Sequence, residues 1–336
     1  MQYSLLGRFR GGLLGSLLGE ILASSTENSG VFGNGLDLKN INILYDRNQE
    51  NSSNISQETI ANWSQIANSS IESLIRCGTL DVEDWLEEAG KVNPSLLYLK
   101  GKANSHEAAL ATLPIALFFH DNPVGLQQKL KESAEIWLSD KEDVAGVYAV
   151  GFAIALALTE NININTLIPQ ILSQLKSSQT PLAQQLEEVQ TLLEQRADLE
   201  TTLFQLRRLQ SNQNKQKNCP NTSIALAFYC FLNNPEDFRI SVTRAIRSGY
   251  QPKMTAAIAG ILSGVYNSMV GIPVGWRVAA QRNKIWQKRQ QLASRLLAVW
   301  SGVWDIGDIE LSNLVAVAGA GVIQSRSGRS RASLSS

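Results

Sequence analysis

Apolar residues recur mostly three or four positions apart along the chain, and the alternating apolar and polar runs of half-buried strands are nearly absent. This pattern predicts an all-α protein, a compact multi-helix bundle. Pro114 should kink or divide one helix. The stretch 147–158 is apolar almost all round, which is typical of a buried central helix. We expect helices at about 5–22, 57–77, 81–89, 105–119, 123–137, 141–158, 221–232, 235–248 and 253–269.

The first predicted helix is unusually rich in glycine, with Gly11, Gly12, Gly15 and Gly19 within two and a half turns. Each glycine would weaken an isolated helix by about 1 kcal/mol relative to alanine. Such a helix makes sense where neighbouring backbones must approach it closely. We therefore expect it to lie at the centre of the bundle.

Composition divides the chain into three regions. Residues 1–276 form the predicted helical domain, in which 25–57, rich in Asn, Ser and Gly, read as a long irregular loop. Residues 277–312 form a basic, Trp-containing helical segment. Residues 313–336 form an apolar and then Ser/Arg-rich tail that we expect to be partly disordered.

Residues 180–209 carry one apolar stripe among Gln, Glu and Arg residues. The stripe is compatible with a short coiled-coil partner site or with a surface helix packed on its own domain. The step from Leu193 to Leu199 breaks the seam that a coiled coil needs. This break favours packing within the chain.

The chain of 336 residues carries 30 basic and 30 acidic residues, so its overall charge indicates no specific nucleic-acid partner. Three cysteines and two histidines are too few for a disulfide framework or a zinc centre. The N-terminal apolar stretch has no small-residue cleavage site, and we count no transmembrane span of about 18 uncharged apolar residues. These features predict a cytoplasmic protein.

The region from Arg277 to Arg295 contains six basic residues and no acidic one, with Trp286 and Trp300 nearby. A basic amphipathic helix can lie on an anionic membrane surface or bind an acidic protein, so the protein could associate peripherally with a membrane. It can also be a final helix whose apolar stripe packs on the bundle, and we favour this alternative while leaving the basic flank open to a partner. The candidate partner-binding residues are Arg277, Arg282, Lys284, Lys288, Arg289 and Arg295.

Four segments in order resemble the ADP-ribosylglycohydrolase family, which includes the dinitrogenase reductase-activating glycohydrolases. Residues 10–20 (RGGLLGSLLGE) resemble the family's Gly-rich first helix, which ends in Gly-Asp. Residues 71–84 and 109–117 are similar to later helices. The best match is 255–266 (TAAIAGILSGVY), followed by Ile272-Pro273 and Trp276. The resemblance implies an orthogonal helical bundle whose enzymes hold two Mg or Mn ions and hydrolyse ADP-ribosyl bonds.

The family's metal motifs are missing from this sequence. Its late Asp-Thr-Asp-Thr aligns with Gln251, Pro252, Lys253 and Met254, and its early Thr-Asp-Asp-Thr with Ala61, Asn62, Trp63 and Ser64. A hard cation needs several carboxylate and hydroxyl oxygens, and a lysine would repel it. Two ligand-contacting motifs are replaced as well, by residues 105–107 and by residues around 139–140. We therefore expect no bound metal and no cofactor.

A few polar residues of the expected cleft have two interpretations. Glu20 stands where the family has an Asp, either as a remnant catalytic acid or, as we favour, as an ordinary helix-end carboxylate. Lys253 could replace a metal cation by pairing with Glu20. His106 and Glu107 fit helix capping better than catalysis, and His120 suits a positive side chain at a helix C-terminus.

These observations predict a catalytically degenerate family member that acts as a non-enzymatic binding or regulatory scaffold. The alternative is a hydrolase of ADP-ribosyl or related glycosidic bonds that uses a rearranged site. No other catalytic constellation, such as a Gly-x-Ser-x-Gly elbow or a phosphate loop, occurs in the sequence.

Overall fold

The computed structural model describes residues 3–29, 61–140, 143–175, 180–213, 221–281 and 283–302. These residues form helices and their connections, without a strand, so the predicted all-α class is confirmed. Short 3₁₀ helices lie at Pro94–Leu99 and Ile164–Thr166. The α-helices are α1 Leu5–Ser29, α2 Asn62–Cys77, α3 Val82–Val92, α4 Ser105–Ala111, α5 Leu113–Phe118, α6 Pro123–Trp137, α7 Ala145–Leu158, α8 Leu167–Gln174, α9 Pro181–Glu194, α10 Leu199–Gln213, α11 Asn221–Asn233, α12 Phe238–Arg247, α13 Pro252–Gly271, α14 Val274–Ala280 and α15 Lys284–Trp300.

Helices α1 and α13 form the centre of the bundle and pack against each other in antiparallel order. Three glycines of α1 face three small residues of α13: Gly11 lies opposite Gly264, Gly15 opposite Gly260 and Gly19 opposite Ala256. A Cβ atom at any of these glycines would lie 2.1–2.3 Å from a backbone carbonyl oxygen of the other helix. The two backbones are therefore in direct contact, as the glycine-rich first helix predicts.

A buried arginine, Arg8, lies near the start of α1, beside the last turns of α13. Helix α13 is interrupted at Ser268, whose φ of 62° and ψ of 175° are not helical. Arg8 Nη1 donates to the carbonyl oxygens of Val265 and Tyr266, both at 3.2 Å, and to that of Ala157 at the end of α7. Because buried carbonyls need donors, Arg8 makes the interruption of α13 tolerable.

Helix α13 is also long and apolar enough to cross a membrane, although we counted no such stretch in the sequence. Residues 254–271 contain no charged side chain, but polar residues such as Thr255, Ser263 and Asn267 lie among the apolar ones. In the structure, 72% of its most apolar window is buried inside the protein, against α1, α11 and α12. This burial is typical of the core helix of a soluble fold.

Several predicted helix boundaries need correction. Helix α1 continues to Ser29 where a loop was expected from residue 25, and the rest of that loop lies outside the described residues. Helix α7 begins at Ala145, four residues later than expected, and its N-cap residue Val144 provides no side-chain cap. Pro114 divides 105–119 into α4 and α5, as expected.

The stripe at 180–209 packs within the chain. Its two halves form α9 and α10, and α9 packs against α11 and α10. Leu182, Leu186, Val189 and Leu206 of the stripe are buried. The tail 313–336 lies outside the described residues.

Helix α15, from the basic segment, packs against α1, α2 and α5. Its apolar stripe is buried through Trp286, Leu292, Leu296, Val299 and Trp300. The packed interpretation of this helix therefore describes the structure.

The contact between α1 and α13 predicts that alanine substitution changes the free energy of unfolding in opposite directions at a glycine inside the contact and at one outside it. Gly15→Ala should lower the free energy of unfolding by about 3 kcal/mol or more, because the added methyl group overlaps the Gly260 carbonyl. Gly275→Ala is the matched control, since Gly275 is in α14 with open space at its Cβ. It should raise the free energy of unfolding by about 0.5–1 kcal/mol through helix propensity. Urea unfolding measures both, and equal effects would contradict the close backbone contact.

Candidate functional site

Glu20 is the buried acid at the end of the α1–α13 contact. The backbone of Gly19 packs against that of Ala256 in α13. The next residue, Glu20, therefore lies beside the first turns of α13. The Glu20 side chain is 1% exposed, and its carboxylate accepts hydrogen bonds from the backbone N–H of Ala61 and from the hydroxyl of Ser64. Ala61 is the N-cap residue of α2 and offers no side chain to cap it. Glu20 therefore supplies the acceptor that the start of α2 lacks.

Arg289 reaches the same site from α15 and is 3% exposed. Its Nη2 donates to the Ser64 carbonyl oxygen at 3.2 Å, and its Nε donates to Asn68 Oδ1 at 3.1 Å. Ser64 thus connects Glu20 and Arg289, because its hydroxyl donates to the Glu20 carboxylate and its backbone carbonyl oxygen accepts from Arg289. We call Glu20, Ser64, Asn68 and Arg289 the Glu20–Arg289 network.

Burial and the neighbouring charges shift the pKa values of Glu20 and Arg289 in opposite directions. Burial raises the pKa of Glu20, while the hydrogen bonds from Ser64 and Ala61 and the positive charges of Arg289 and Lys253 act to lower it. Burial lowers the pKa of Arg289 to about 10, against the charge of Glu20. Since that value is well above neutral pH, Arg289 brings a full positive charge into the buried site.

Residues aligned with the late metal motif surround the start of α13. Lys253 is half-buried in its first turn, and its charge favours the ionised form of Glu20. Met254 is half-buried against the core, and Gln251 is exposed with a φ of 41°. The charge of Lys253 thus acts on Glu20, and Arg289 adds a second positive charge.

The side chains of the residues aligned with the early metal motif have different surroundings in the structure. Ser64 points to Glu20, but Asn62 is exposed. Trp63 is buried and packs edge-on against Trp137, with ring centroids 6.1 Å apart. Ser64 is therefore the member of this set whose side chain contacts Glu20.

Comparison with known proteins identifies the chain. The family model described as ADP-ribosylglycohydrolase matches residues 1–305. The chain belongs to the ADP-ribosylglycohydrolase family. A solved structure titled "ADP-ribosylglycohydrolase-related protein complex" has a TM-score of 0.53 and 15% identity, covering 87% of this chain and 99% of its own, which shows a shared fold. No curated protein matches the sequence.

The ADP-ribosylglycohydrolase metals, implied by the family resemblance, do not fit the donor set of this site. Within the described residues, no group of three or more His, Cys, Asp or Glu side chains is placed to hold a metal ion. Both oxygens of Glu20 already accept hydrogen bonds, and a guanidinium lies next to it. Mg²⁺ needs a near-octahedral set of oxygen ligands, which one engaged carboxylate beside a cation does not provide.

The ligand-contacting motifs of the family are replaced by residues that bond to the protein itself. Glu107 and Asn104 form a complete capping box at the start of α4, as expected for Glu107. His106 is buried there. Ser105 donates to the Asp143 carbonyl oxygen at 3.0 Å. Burial raises the pKa of the Asp143 carboxyl to about 6, with the nearby Asp140 charge acting in the same direction.

His120 was expected to be a positive side chain at a helix C-terminus, and this expectation is only partly right. Its Nδ1 lies 2.7 Å from the Leu117 carbonyl oxygen at the end of α5. The ring is buried between Phe9 and Trp300, and this burial lowers its pKa. The imidazole therefore fills the core beside α15, where burial disfavours its charged form.

The basic residues that we predicted to bind a partner differ in their burial and in their ion pairs. Arg289 is buried, so its assignment to a partner-binding surface was wrong. Lys288 and Arg295 pair with Glu72 of α2 at 3.6 and 3.5 Å, which reduces their free charge. Lys284 is exposed, Arg277 is half-buried, and Arg282 lies outside the described residues.

Sequence reasoning missed the role of Arg289, although a signal was present. Arg289 is four residues after Ile285 and three before Leu292, so it lies on the apolar stripe of α15 and not on the basic flank. A charge on a buried stripe indicates a buried partner. The partner itself, at the start of α2, could not be found without knowing how the helices pack.

The network predicts strong coupling between Glu20 and Arg289. In a double-mutant cycle of Glu20→Gln and Arg289→Met, we expect a coupling energy of about 1.5–3 kcal/mol, because each group compensates the other in a buried site. The matched cycle, Glu72→Gln and Lys288→Met, joins α2 to α15 at the surface and should give about 1 kcal/mol or less. Urea unfolding at neutral pH measures both cycles, and a buried coupling no larger than the surface one would refute this role of Arg289.

Proposed function

We propose that this chain is a catalytically degenerate member of the ADP-ribosylglycohydrolase family that acts as a non-enzymatic binding or regulatory scaffold. The observation that carries the proposal is the use of Glu20. Its carboxylate serves as the cap of α2 and as the neighbour of a buried guanidinium, in the place where the family resemblance implies metal chemistry.

The burial of Glu20 argues against a retained reaction. A general acid or base has to come within hydrogen-bond reach of the reacting group. Glu20 is 1% exposed, and both of its oxygens are engaged by α2. The alternative, hydrolysis of an ADP-ribosyl or related bond through a rearranged site, is supported by the family membership of the chain and by the raised pKa of Glu20.

The scaffold would meet its partner through the basic C-terminal segment. Lys284 is exposed at the start of α15, and Lys288 and Arg295 keep part of their charge beside Glu72. We expect an acidic protein or an anionic membrane surface, reached from the cytoplasm, and no specific nucleic acid. Because α15 buries two tryptophans in the core, a partner assay should use charge reversal at Lys284 in the full chain and not a truncation.

Calorimetric titration of the full chain with ADP-ribose tests the loss of the ancestral site. With Mg²⁺ or Mn²⁺ present, and again with chelator, we expect no binding heat, because the part of the chain that the structure describes has no carboxylate set to hold the ions that orient this ligand. A family enzyme that carries both aspartate motifs should bind under the first condition and serves as the positive control.

Metal-dependent binding of ADP-ribose to this chain would contradict the proposal. Binding that persists in chelator would support the alternative of a rearranged site, provided that the Glu20→Gln variant loses it.

A further inference from the structure

A polar cavity of about 730 Å³ lies where the ends of α9, α11 and α12 meet, apart from the Glu20–Arg289 network. Its volume is in the range of small-molecule sites. Ile164, Leu193 and Leu232 line it with apolar atoms. The other side chains that line it are mostly amides and charged groups, which makes it suited to a hydrogen-bonding ligand.

Arg244, in the last turn of α12, contributes a fixed positive charge to this cavity. Its Nη1 donates to the side-chain oxygens of Asn233 and of Asn234, the latter at 2.9 Å. Both acceptors are neutral amides, and the ion pairs found among the described residues do not include Arg244. A guanidinium has five N–H donors, so two neutral acceptors at one nitrogen position it without neutralising its charge.

The two acids of the cavity have other partners. Asp198 accepts a hydrogen bond of 2.7 Å from the Thr201 N–H and so caps α10. Glu194 accepts one of 2.7 Å from the side chain of Gln190. Both carboxylates are therefore held by their own helices and leave Arg244 available to an anion.

Arg196 is an exposed residue that lines the cavity, and its backbone has a left-handed conformation that glycine adopts more readily than other residues. Its φ is 54°, directly after the end of α9, where a left-handed residue ends many helices. The turn is held by the Tyr229 hydroxyl, which donates to the Ala197 carbonyl oxygen at 2.7 Å. A second, exposed guanidinium is thereby kept at the entrance at the cost of backbone strain.

We propose that this cavity binds a small hydroxylated molecule that carries one phosphate or carboxylate group. The fork of a guanidinium matches the oxygens of either group, so Arg244 binds the anion. Asn165 and Gln190 also line the cavity, and the Gln190 side-chain oxygen can accept from a ligand hydroxyl group while its nitrogen donates to Glu194. Glu194 and Asp198 disfavour any further negative charge on the ligand, which limits it to one anionic group.

Calorimetric titration of the full chain at constant ionic strength tests this site with three probes that differ in one group: glycerol 3-phosphate, glycerate and glycerol. We expect binding of at least one of the two anions and none of glycerol. Phosphate and carboxylate ligands are distinguished by which of the two anions binds.

Arg244→Met should weaken the binding of that anion at least 10-fold. Arg247→Met is the control, because Arg247 is an exposed residue of the same helix that does not line the cavity, and it should change the affinity less than 2-fold. If Arg244→Met does not fold, Arg244→Lys keeps the charge without the fork and should weaken binding at least 3-fold. Absence of heat with both anions, or equal affinity of the Arg244 and Arg247 variants, would overturn the proposal.

Discussion

The backbone contact between α1 and α13 is the constraint on which the rest of the structure depends. Successive turns of α1 present a glycine to the carbonyl oxygens of α13, and no side chain fits between the two helices at these positions. Because this contact fixes the axial register of the two helices, it also fixes where Glu20 lies relative to the first turn of α13. The start of α2 and the inner face of α15 then meet at that acid. The packing of these helices thus determines which side chains meet at Glu20.

At the point where the family resemblance implies two metal ions, this chain has an acid that caps a helix and a guanidinium that compensates the acid. Removing metal-ligating carboxylates from a buried site would leave polar groups without partners, which is costly. Arg289 and Ser64 solve this problem with hydrogen bonds, and the cation comes from α15 of the same chain. Glu20 and Arg289 are thus both buried in the core, and the cavity lined by Arg244 lies apart from them.

The helix pattern could be predicted well where local signals were strong. Helix α6 begins at Pro123 and ends at Trp137, as expected, because Asn122 caps it and Pro123 fits the first turn. Helix α8 was missed because it is short and contains Pro169, which its first turn tolerates. Glu20, Ser64 and Lys253 could be assigned to one cleft by resemblance. The burial of Arg289 could have been predicted from its position on the apolar stripe of α15, but its partners Ser64 and Asn68 could not, because they follow from the packing of α15 on α2.

The electron paramagnetic resonance signal of Mn²⁺ tests most directly whether the site has exchanged its metals for a guanidinium. Free aqueous Mn²⁺ gives a sharp six-line spectrum that weakens when the ion binds a protein. We expect that the full chain, added in excess, leaves the amplitude unchanged, because Glu20 is engaged and Arg289 carries the positive charge. A loss of amplitude that saturates at one or two ions per chain and disappears in the Glu20→Gln variant would show that the metal site is retained.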